Sequence, residues 1–153
     1  MGQSSKVGRY QRMYDQIADL VQVTSSPWSR MSTIAAVLHH KMPSFFWTGF
    51  YYLDQGDLLV GPYQGPVACL KLAPDKGVCR ACVDRQETVL VPDVEQFPGH
   101  IACSSQSRSE IVVPVRDHNG KVVSVLDVDS RDLNAFDQED RSGLEKIVEW
   151  VYH

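Results

Sequence analysis

The stretch that decides the fold is Ser109-Glu110-Ile111-Val112-Val113-Pro114-Val115-Arg116, then Asp117-His118-Asn119-Gly120, then Lys121-Val122-Val123-Ser124-Val125-Leu126-Asp127-Val128-Asp129. Two runs rich in β-branched residues flank four residues that favour turns, and this pattern predicts an antiparallel hairpin. The hairpin supplies two neighbouring strands, and elements on both sides of it in the chain can extend the sheet.

Helical and strand-like segments precede and follow this hairpin. Apolar residues at three- and four-residue steps after Tyr10 indicate an amphipathic helix, and Pro27 after Ser26 is typical of a helix start. Asp137 is expected to cap the last helix. The order of elements predicts an α+β fold with a central antiparallel sheet and helices packed on it. We predict helices over residues 10–23 and 27–41, a strand pair over 45–53 and 58–64 with a turn over 54–57, a short helix over 77–86, a short strand over 88–91, a long loop over 92–108 and a last helix over 136–151.

The composition predicts one folded domain over residues 1–153, because 43% of the residues are hydrophobic and 22% are charged. The formal net charge of −4 disfavours nucleic acid and an anionic membrane surface as partners. No apolar run approaches the roughly 20 residues of a membrane span, and the polar start of the chain lacks the apolar core of a signal peptide. We therefore expect a cytoplasmic protein. Its four cysteines should be reduced at rest, which favours catalytic or metal-binding roles over structural disulfides.

Three carboxylates belong to strands in which carboxylates are otherwise unfavourable. Asp127 and Asp129 point to one face of their strand, and Glu110 is on the strand before it. If Glu110 faces the same side, the three carboxylates converge near Trp47 and Tyr51, which share a face of the first strand. This arrangement predicts a negatively charged, aromatic-walled pocket for a small cation such as an ammonium group. The alternatives are plain core aromatics, a strand-end turn at Asp129 and a solvated edge residue at Glu110.

Cysteines on loop-like segments indicate thiol redox chemistry. Cys103 ends a loop that contains proline, glycine and histidine, and Cys69 and Cys79 precede it in other such segments. Taken singly, Cys69 and Cys79 are more often small buried hydrophobes. A second alternative is a zinc centre of the Cys3His type, because Cys79-x-x-Cys82 and His100-x-x-Cys103 contain the required ligand types.

Taken together, these stretches closely resemble the free methionine-(R)-sulfoxide reductases, enzymes built on a GAF domain. The resemblance covers about residues 10–150 and includes the spacing of the three cysteines. It is more specific than a GAF fold alone, since most GAF domains are sensors that bind a small molecule without turnover, and such a sensor is the rival interpretation. The matching motifs are Trp47-Thr48-Gly49-Phe50-Tyr51, Gly61-Pro62-Tyr63-Gln64-Gly65 leading to Ala68-Cys69, Gly77-Val78-Cys79, Val91-Pro92-Asp93-Val94, Phe97-Pro98-Gly99-His100-Ile101-Ala102-Cys103, Ser107-Arg108-Ser109-Glu110-Ile111-Val112-Val113-Pro114 and Leu126-Asp127-Val128-Asp129-Ser130.

The resemblance implies a thiol-dependent reductase that converts free L-methionine (R)-sulfoxide to methionine, with no cofactor and no metal. Cys103 would be the nucleophile and pass through a sulfenic acid, Cys69 would be the main resolving cysteine, and Cys79 could form an alternative disulfide. Trp47 and Tyr51 would wall the pocket. The reductant would be thioredoxin or a similar dithiol protein, and the chain could form a homodimer. The carboxylates that would hold the substrate's ammonium group and assist at the sulfoxide oxygen are Glu110, Asp127 and Asp129.

Overall fold

The computed structural model describes residues 2–100 and 103–153; Ile101 and Ala102, which belong to one of the motifs quoted above, lie outside the described residues. The strands are β1 (Trp47–Asp54), β2 (Asp57–Gln64), β3 (Val89–Val91), β4 (Ser109–Arg116) and β5 (Val122–Ser130). They form one antiparallel sheet in the order β2-β1-β5-β4-β3. This sheet and the helices packed on it confirm the predicted α+β fold.

Four α-helices among the described residues accompany this sheet. They are α1 (Gly2–Leu20), α2 (Pro27–Lys41), α3 (Val78–Arg85) and α4 (Gln138–Val148). Short 3-10 turns continue α1 through Val21–Val23 and α4 through Glu149–Val151. None of these helices combines the length and the apolar character that a membrane span requires.

Capping residues set two helix starts at the predicted positions. The Ser26 side chain accepts a hydrogen bond from the backbone N–H of Ser29, and Pro27 occupies the first turn of α2. The Asp137 carboxylate accepts from the backbone N–H of Asp140, whose own carboxylate accepts in return from the Asp137 N–H. These bonds satisfy N–H groups that a helix start otherwise leaves unpaired. Both predicted helix starts are confirmed.

Helix α1 begins well before the predicted start at residue 10. The apolar periodicity begins at Tyr10, but polar side chains before it also contact α4. Lys6 Nζ lies 2.9 Å from the buried carboxylate of Asp140 and 3.2 Å from that of Asp137. Tyr10 Oη donates to the same Asp140 carboxylate over 2.7 Å. Tertiary contacts of this kind, rather than the local apolar pattern, stabilise the early turns of the helix.

The two faces of the sheet bury different sets of side chains. One face packs Phe50 and Leu126 against α1, α2 and α4 and forms the larger core. The other face packs Trp47 and Val125 together with Cys79 of α3. The alternation of side chains predicted for β1 and β5 is therefore confirmed. Because only the short helix α3 and neighbouring loops cover the second face within the described residues, this face leaves room for a cleft.

Candidate functional site

Three carboxylates meet on the face of the sheet that α3 covers. Glu110 of β4 is the direct cross-strand partner of Asp129 on β5, and Asp127 is the partner of Val112. Glu110 and Asp127 are each only 6% exposed, so water cannot solvate their charged forms fully. The alternative of a solvated edge residue at Glu110 is wrong, because β4 lies between β5 and β3. A strand-end turn at Asp129 is also wrong, because Asp129 pairs with Trp47 inside the β1–β5 ladder.

Burial raises the pKa of all three carboxyl groups. The pKa of Glu110 lies well above its ordinary range because of burial, and the charges of Asp127 and Asp129 add to the rise. Burial and the charge of Asp127 likewise raise the pKa of Asp129 well above its usual value. Burial also raises the pKa of Asp127, but the neighbouring Glu110 and Cys79 side chains oppose that rise. The cluster therefore favours retention of a proton at a higher pH than separate, exposed carboxyl groups would.

Stacked aromatic rings form a wall beside the carboxylates. The Trp47 ring centre lies 5.6 Å from that of Tyr51 and 5.2 Å from that of Tyr63. The indole Nε1 of Trp47 donates to the Pro66 carbonyl over 3.0 Å, which orients the ring. Gly49 permits the stack, because a Cβ there would lie 2.3 Å from Tyr63 Cβ and 2.6 Å from Trp47 Cη2. Sequence reasoning missed Tyr63, although its place opposite Gly49 in the hairpin was a usable signal.

These groups line one cleft between the sheet, the start of α3 and the loops that follow β2 and precede β4. The cleft brings together every predicted site residue except Cys69. Trp47 and Tyr51 are therefore both buried core aromatics and cleft walls. The remaining lining residues, which the predicted site did not include, are Pro66, Val67, Ala68, Leu72, Lys76, Gly77, Val78, His100, Ser104 and Ser107.

A disulfide joins Cys69 to Cys103, with their Cα atoms 5.7 Å apart. Cys103 lines the cleft and is exposed, so the disulfide brings Cys69 to the mouth of the cleft. The structure is thus an oxidised form, and the expectation of four reduced cysteines does not describe it. Cys79 and Cys82 are free thiols.

The chain after Cys69 is held on the edge of the sheet. The Leu70 carbonyl accepts a hydrogen bond from the Val60 N–H over 2.9 Å, and the Leu72 N–H donates to the Leu58 carbonyl over 3.0 Å. These bonds place the segment along the outer edge of β2, where a strand otherwise leaves backbone groups unpaired. Cys69 therefore directly precedes a segment whose backbone is hydrogen-bonded to β2.

The chain after Cys103 is tied to the sheet before β4 begins. The Arg108 N–H donates to the Ser130 carbonyl over 2.7 Å, and the Arg108 carbonyl accepts from the Val94 N–H over 2.9 Å. The predicted loop over residues 92–108 also contains a 3-10 turn, Val94–Gln96, which the sequence analysis did not predict. These contacts bring the far end of the loop back to the strand that carries Asp127 and Asp129.

The two free thiols differ in their relation to the cleft. Cys79 lines the cleft, and burial raises the pKa of its thiol well above the ordinary value, with the charges of Asp127 and Glu110 adding to the rise. Cys82 is fully buried and does not line the cleft. Burial, followed by the charge of Asp127, raises the pKa of Cys82 to about 12. Both cysteines therefore ionise to the thiolate less readily than an ordinary cysteine in this state.

The Cys3His zinc alternative receives no support from this arrangement. The sulfur of Cys103 is bonded to that of Cys69, so it is not available as a thiolate ligand in this state. Within the part of the chain that the structure describes, Cys79 instead converges with Glu110 and Asp127, their ligand atoms lying within 4.8 Å of one another. This group consists of two members of the carboxylate cluster and one thiol, and it is not the predicted set of three cysteines and a histidine.

Comparison with known proteins adds a family to these features. Residues 30–149 match the family of GAF domains. The chain is 36% identical over 138 residues to the free methionine-R-sulfoxide reductase of Saccharomyces cerevisiae, a match that covers 88% of this chain and 73% of that protein. It is 38% identical over 118 residues to the Escherichia coli protein of the same name, covering 77% of this chain and 71% of the other. The X-ray structure of the free methionine-R-sulfoxide reductase from Neisseria meningitidis in complex with its substrate superposes with a TM-score of 0.90 and 38% identity, covering 95% of this chain and 87% of that one.

Proposed function

Because this chain belongs to the GAF domain family and, within it, to the free methionine-R-sulfoxide reductases, we propose that it reduces free L-methionine (R)-sulfoxide to methionine. The whole chain, residues 1–153, acts as one catalytic domain in this proposal. The observation that carries it is the disulfide between Cys69 and Cys103 at the mouth of a cleft lined by carboxylates and aromatic rings. A sensor that only binds a small molecule has no use for such a redox pair.

Cys103 is the nucleophile of the proposed reaction. Its thiolate attacks the sulfoxide, the S–O bond breaks, and the oxygen passes to Cys103 as a sulfenic acid while methionine leaves as a thioether. The sulfoxide is thereby reduced by two electrons and the cysteine oxidised by two. The position of Cys103 supports this role, because it lines the cleft and is also exposed, so that a small substrate and an external reductant can both reach it.

The carboxylates supply the proton that the sulfoxide oxygen needs. This oxygen is a poor leaving group, so protonation must accompany the attack on sulfur. The raised pKa values of Glu110 and Asp129 favour a protonated carboxyl group beside the reacting atoms. The remaining negative charge of the carboxylate cluster disfavours the Cys103 thiolate. The ammonium group of the substrate offsets part of this repulsion when it binds among the carboxylates.

Cys69 resolves the sulfenic acid. Its thiol condenses with the Cys103 sulfenic acid, forming the disulfide and releasing water. Cys79 is the alternative partner, but its buried thiol has a strongly raised pKa, so its attack should be slower. Thioredoxin or a similar dithiol protein then supplies two electrons and two protons, which restores both thiols.

The aromatic wall accounts for the apolar part of the substrate. Trp47 and Tyr51 present stacked rings to the cleft, and such surfaces bind methyl and methylene groups well. The carboxylates on the neighbouring strands would hold the ammonium group. The two features together suit a small amino acid with an unbranched side chain.

The decisive experiment follows the oxidation of dithiothreitol with the separate R and S epimers of free methionine sulfoxide and with a peptide-bound form. Dithiothreitol as the reductant keeps the test independent of which protein supplies electrons. We expect turnover with the free R epimer and little with the other two substrates. Saturable binding of the free R epimer without turnover would instead support the sensor interpretation.

A further inference from the structure

Two of the most exposed apolar side chains of the molecule flank Cys69. Val67 is 87% exposed and Leu70 is 79% exposed, and among the large apolar side chains of the described residues only Val23, at 89%, is comparable. A single apolar side chain on a surface needs no explanation. Two of them on either side of a disulfide-bonded cysteine indicate a surface that another molecule covers. We refer to Val67 and Leu70 together as the apolar rim.

The segment that carries the apolar rim is fixed at both ends. The Pro66 carbonyl accepts a hydrogen bond from Trp47 Nε1 over 3.0 Å, and the Leu70 carbonyl accepts from the Val60 N–H over 2.9 Å. These bonds hold the backbone on either side of Cys69 to β1 and β2. A surface that is already held in place loses little conformational entropy when a partner binds to it.

Lys71 offers backbone groups to a partner beside the apolar rim. It is the antiparallel bridge partner of Leu59 on β2, and its neighbours Leu70 and Leu72 direct their hydrogen-bonding groups toward β2. Because these groups alternate along an extended segment, the N–H and C=O of Lys71 point away from β2. Such an edge can pair with an extended segment of a second protein, which a small thiol cannot provide.

We propose that the apolar rim and the outer edge of Lys71 form the docking surface for the dithiol protein that reduces the disulfide between Cys69 and Cys103. The inference rests on the proposed function, which requires such a reductant in each cycle. The partner is a protein of the thioredoxin type, with its reactive cysteine in an apolar surface. Cys69 is half-buried and Cys103 is exposed, so their disulfide is open to a thiol that arrives over the rim. Transient redox complexes bury little area, so two apolar side chains and a short edge form a large share of such an interface.

Docking serves a thiol–disulfide exchange in two steps. A thiolate of the partner forms an S–S bond with one sulfur of the disulfide, the bond between Cys69 and Cys103 breaks, and the other sulfur leaves as a thiolate that takes up a proton. The partner's second thiol then loses its proton and attacks the partner's own sulfur in the mixed disulfide. The second cysteine of this chain leaves and is protonated in turn. The chain gains two electrons and two protons, and the partner is oxidised to its own disulfide.

The test measures the reduction of protein that diamide has oxidised to the disulfide between Cys69 and Cys103, so it needs no methionine sulfoxide. One reductant is thioredoxin, kept reduced by its reductase and NADPH, and the other is dithiothreitol. Thioredoxin should reduce Leu70→Gln about tenfold more slowly than wild type, as expected when the burial of a leucine side chain is lost. Reduction by dithiothreitol should be unchanged, because Leu70 lies outside the cleft and a small dithiol does not depend on the rim.

Control variants separate docking from a general effect of a polar substitution. Val23→Gln is the matched control, since Val23 is as exposed but ends the turn after α1, which packs on the opposite face of the sheet. It should keep the wild-type rates with both reductants. Leu70→Met keeps an apolar side chain and should retain most of the thioredoxin rate. Val67 also lines the cleft, so for Val67→Thr the readout is the ratio of the thioredoxin rate to the dithiothreitol rate, which should fall.

Equal thioredoxin rates for Leu70→Gln and wild type overturn the docking surface, and so does a wild type that dithiothreitol reduces but thioredoxin does not. An equal fall of both rates in Leu70→Gln also overturns it, because Leu70 would then act on the disulfide itself. Sedimentation velocity adds a further outcome: a changed oligomeric state of Leu70→Gln with an unchanged thioredoxin rate would assign the rim to a contact between copies of this chain.

The docking surface and the proposed function can fail separately. A thioredoxin-specific defect of Leu70→Gln, in a protein that does not turn over methionine sulfoxide with dithiothreitol, supports the surface and refutes the reaction. Turnover of methionine sulfoxide with dithiothreitol, together with equal thioredoxin rates for Leu70→Gln and wild type, refutes the surface and supports the reaction.

Discussion

Glu110 and Asp129 face each other directly across the β4–β5 ladder, on the side of the sheet that forms the cleft. Two carboxylates in a cross-strand pair repel each other, and burial prevents water from screening the repulsion. A proton held between them relieves it. The same arrangement therefore weakens the fold and, in the proposed reaction, supplies the acid, and both consequences can be measured.

The stability of the protein should fall as the pH rises above the ordinary carboxyl range. The pKa of Glu110 is higher in the folded chain than in the unfolded one, so the folded state binds this proton more tightly. The stabilisation that this proton gives is fully present below the pKa of about 4.3 that Glu110 has in the unfolded chain. It is lost as the pH rises through the raised pKa of the folded chain, and the free energy of unfolding then falls by up to ~1.4 kcal/mol per pH unit. Urea unfolding from about pH 5 to about pH 8 should show a shallower slope for Glu110→Gln than for wild type. Asp84→Asn, at an exposed position of α3, is the control, and an unchanged slope in Glu110→Gln would contradict the prediction.

Glu110→Gln and Asp129→Asn should each lower kcat/KM for methionine sulfoxide by a factor of about ten or more, as expected for a lost charge-assisted contact. The amides keep the shape of the side chains but carry no charge and no acidic proton. An analogue without the amino group separates the two roles, because wild type should reject it and the variants should lose much of that discrimination. Equal reduction of the analogue and of methionine sulfoxide by wild type would exclude ammonium binding by this cluster.

Cys103→Ser should abolish reduction, because a serine hydroxyl is not deprotonated near neutral pH and forms no sulfenic acid. The assay is oxidation of dithiothreitol in the presence of free methionine sulfoxide. Cys82→Ala is the matched control, since Cys82 is a buried thiol that does not line the cleft, and it should retain turnover. Wild-type rates in Cys103→Ser would show that another residue is the nucleophile.

Cys69→Ser should permit one round of reduction but impair recycling by a dithiol protein. Intact mass after one equivalent of substrate should show a gain of one oxygen atom on part of the protein, where wild type shows the loss of two hydrogen atoms. Cys79→Ser is the comparison and should keep the wild-type disulfide. If Cys69→Ser forms an intramolecular disulfide as completely as wild type, then Cys69 is not the resolving cysteine.

Gly49→Ala should destabilise the protein by about 1–3 kcal/mol, the usual range for overpacking a filled site. The added methyl group would overlap Tyr63 and Trp47, so the aromatic wall must shift. Gly61→Ala in the same hairpin is a milder control, because its nearest contacts are at 3.3 Å. Urea unfolding gives the stability. Equal stability of Gly49→Ala and wild type would show that the aromatic rings can move apart without a loss of stability.

Features set by local sequence were predictable from the chain alone. The alternation of side chains along β5 assigned Asp127 and Asp129 to one face and left the side of Glu110 open, and the structure brings all three together on that face. The turn residues between these strands and the caps at Ser26 and Asp137 marked element ends correctly. In each case the physical cause lies within a few residues of the chain.

Features set by distant contacts were not predictable in the same way. The early turns of α1 depend on the ion pair of Lys6 with Asp140, more than a hundred residues along the chain. The positions of His100 and Lys76 follow from the packing of Gly99 against the start of α3, and nothing local encodes it. Tyr63 enters the aromatic wall through the β1–β2 register, which shifts at an irregularity between Gly49 and Tyr51.

The hydrogen bonds that hold Leu70 and Leu72 to β2 do not involve the disulfide. We therefore expect them to remain when an external dithiol opens the bond between Cys69 and Cys103. The freed Cys69 thiol then stays tethered within a short length of chain from the cleft, and its effective concentration near Cys103 is far higher than a freely moving loop would give. In the proposed reaction, the disulfide can then close again without a long conformational search, so ring closure need not limit the rate of turnover.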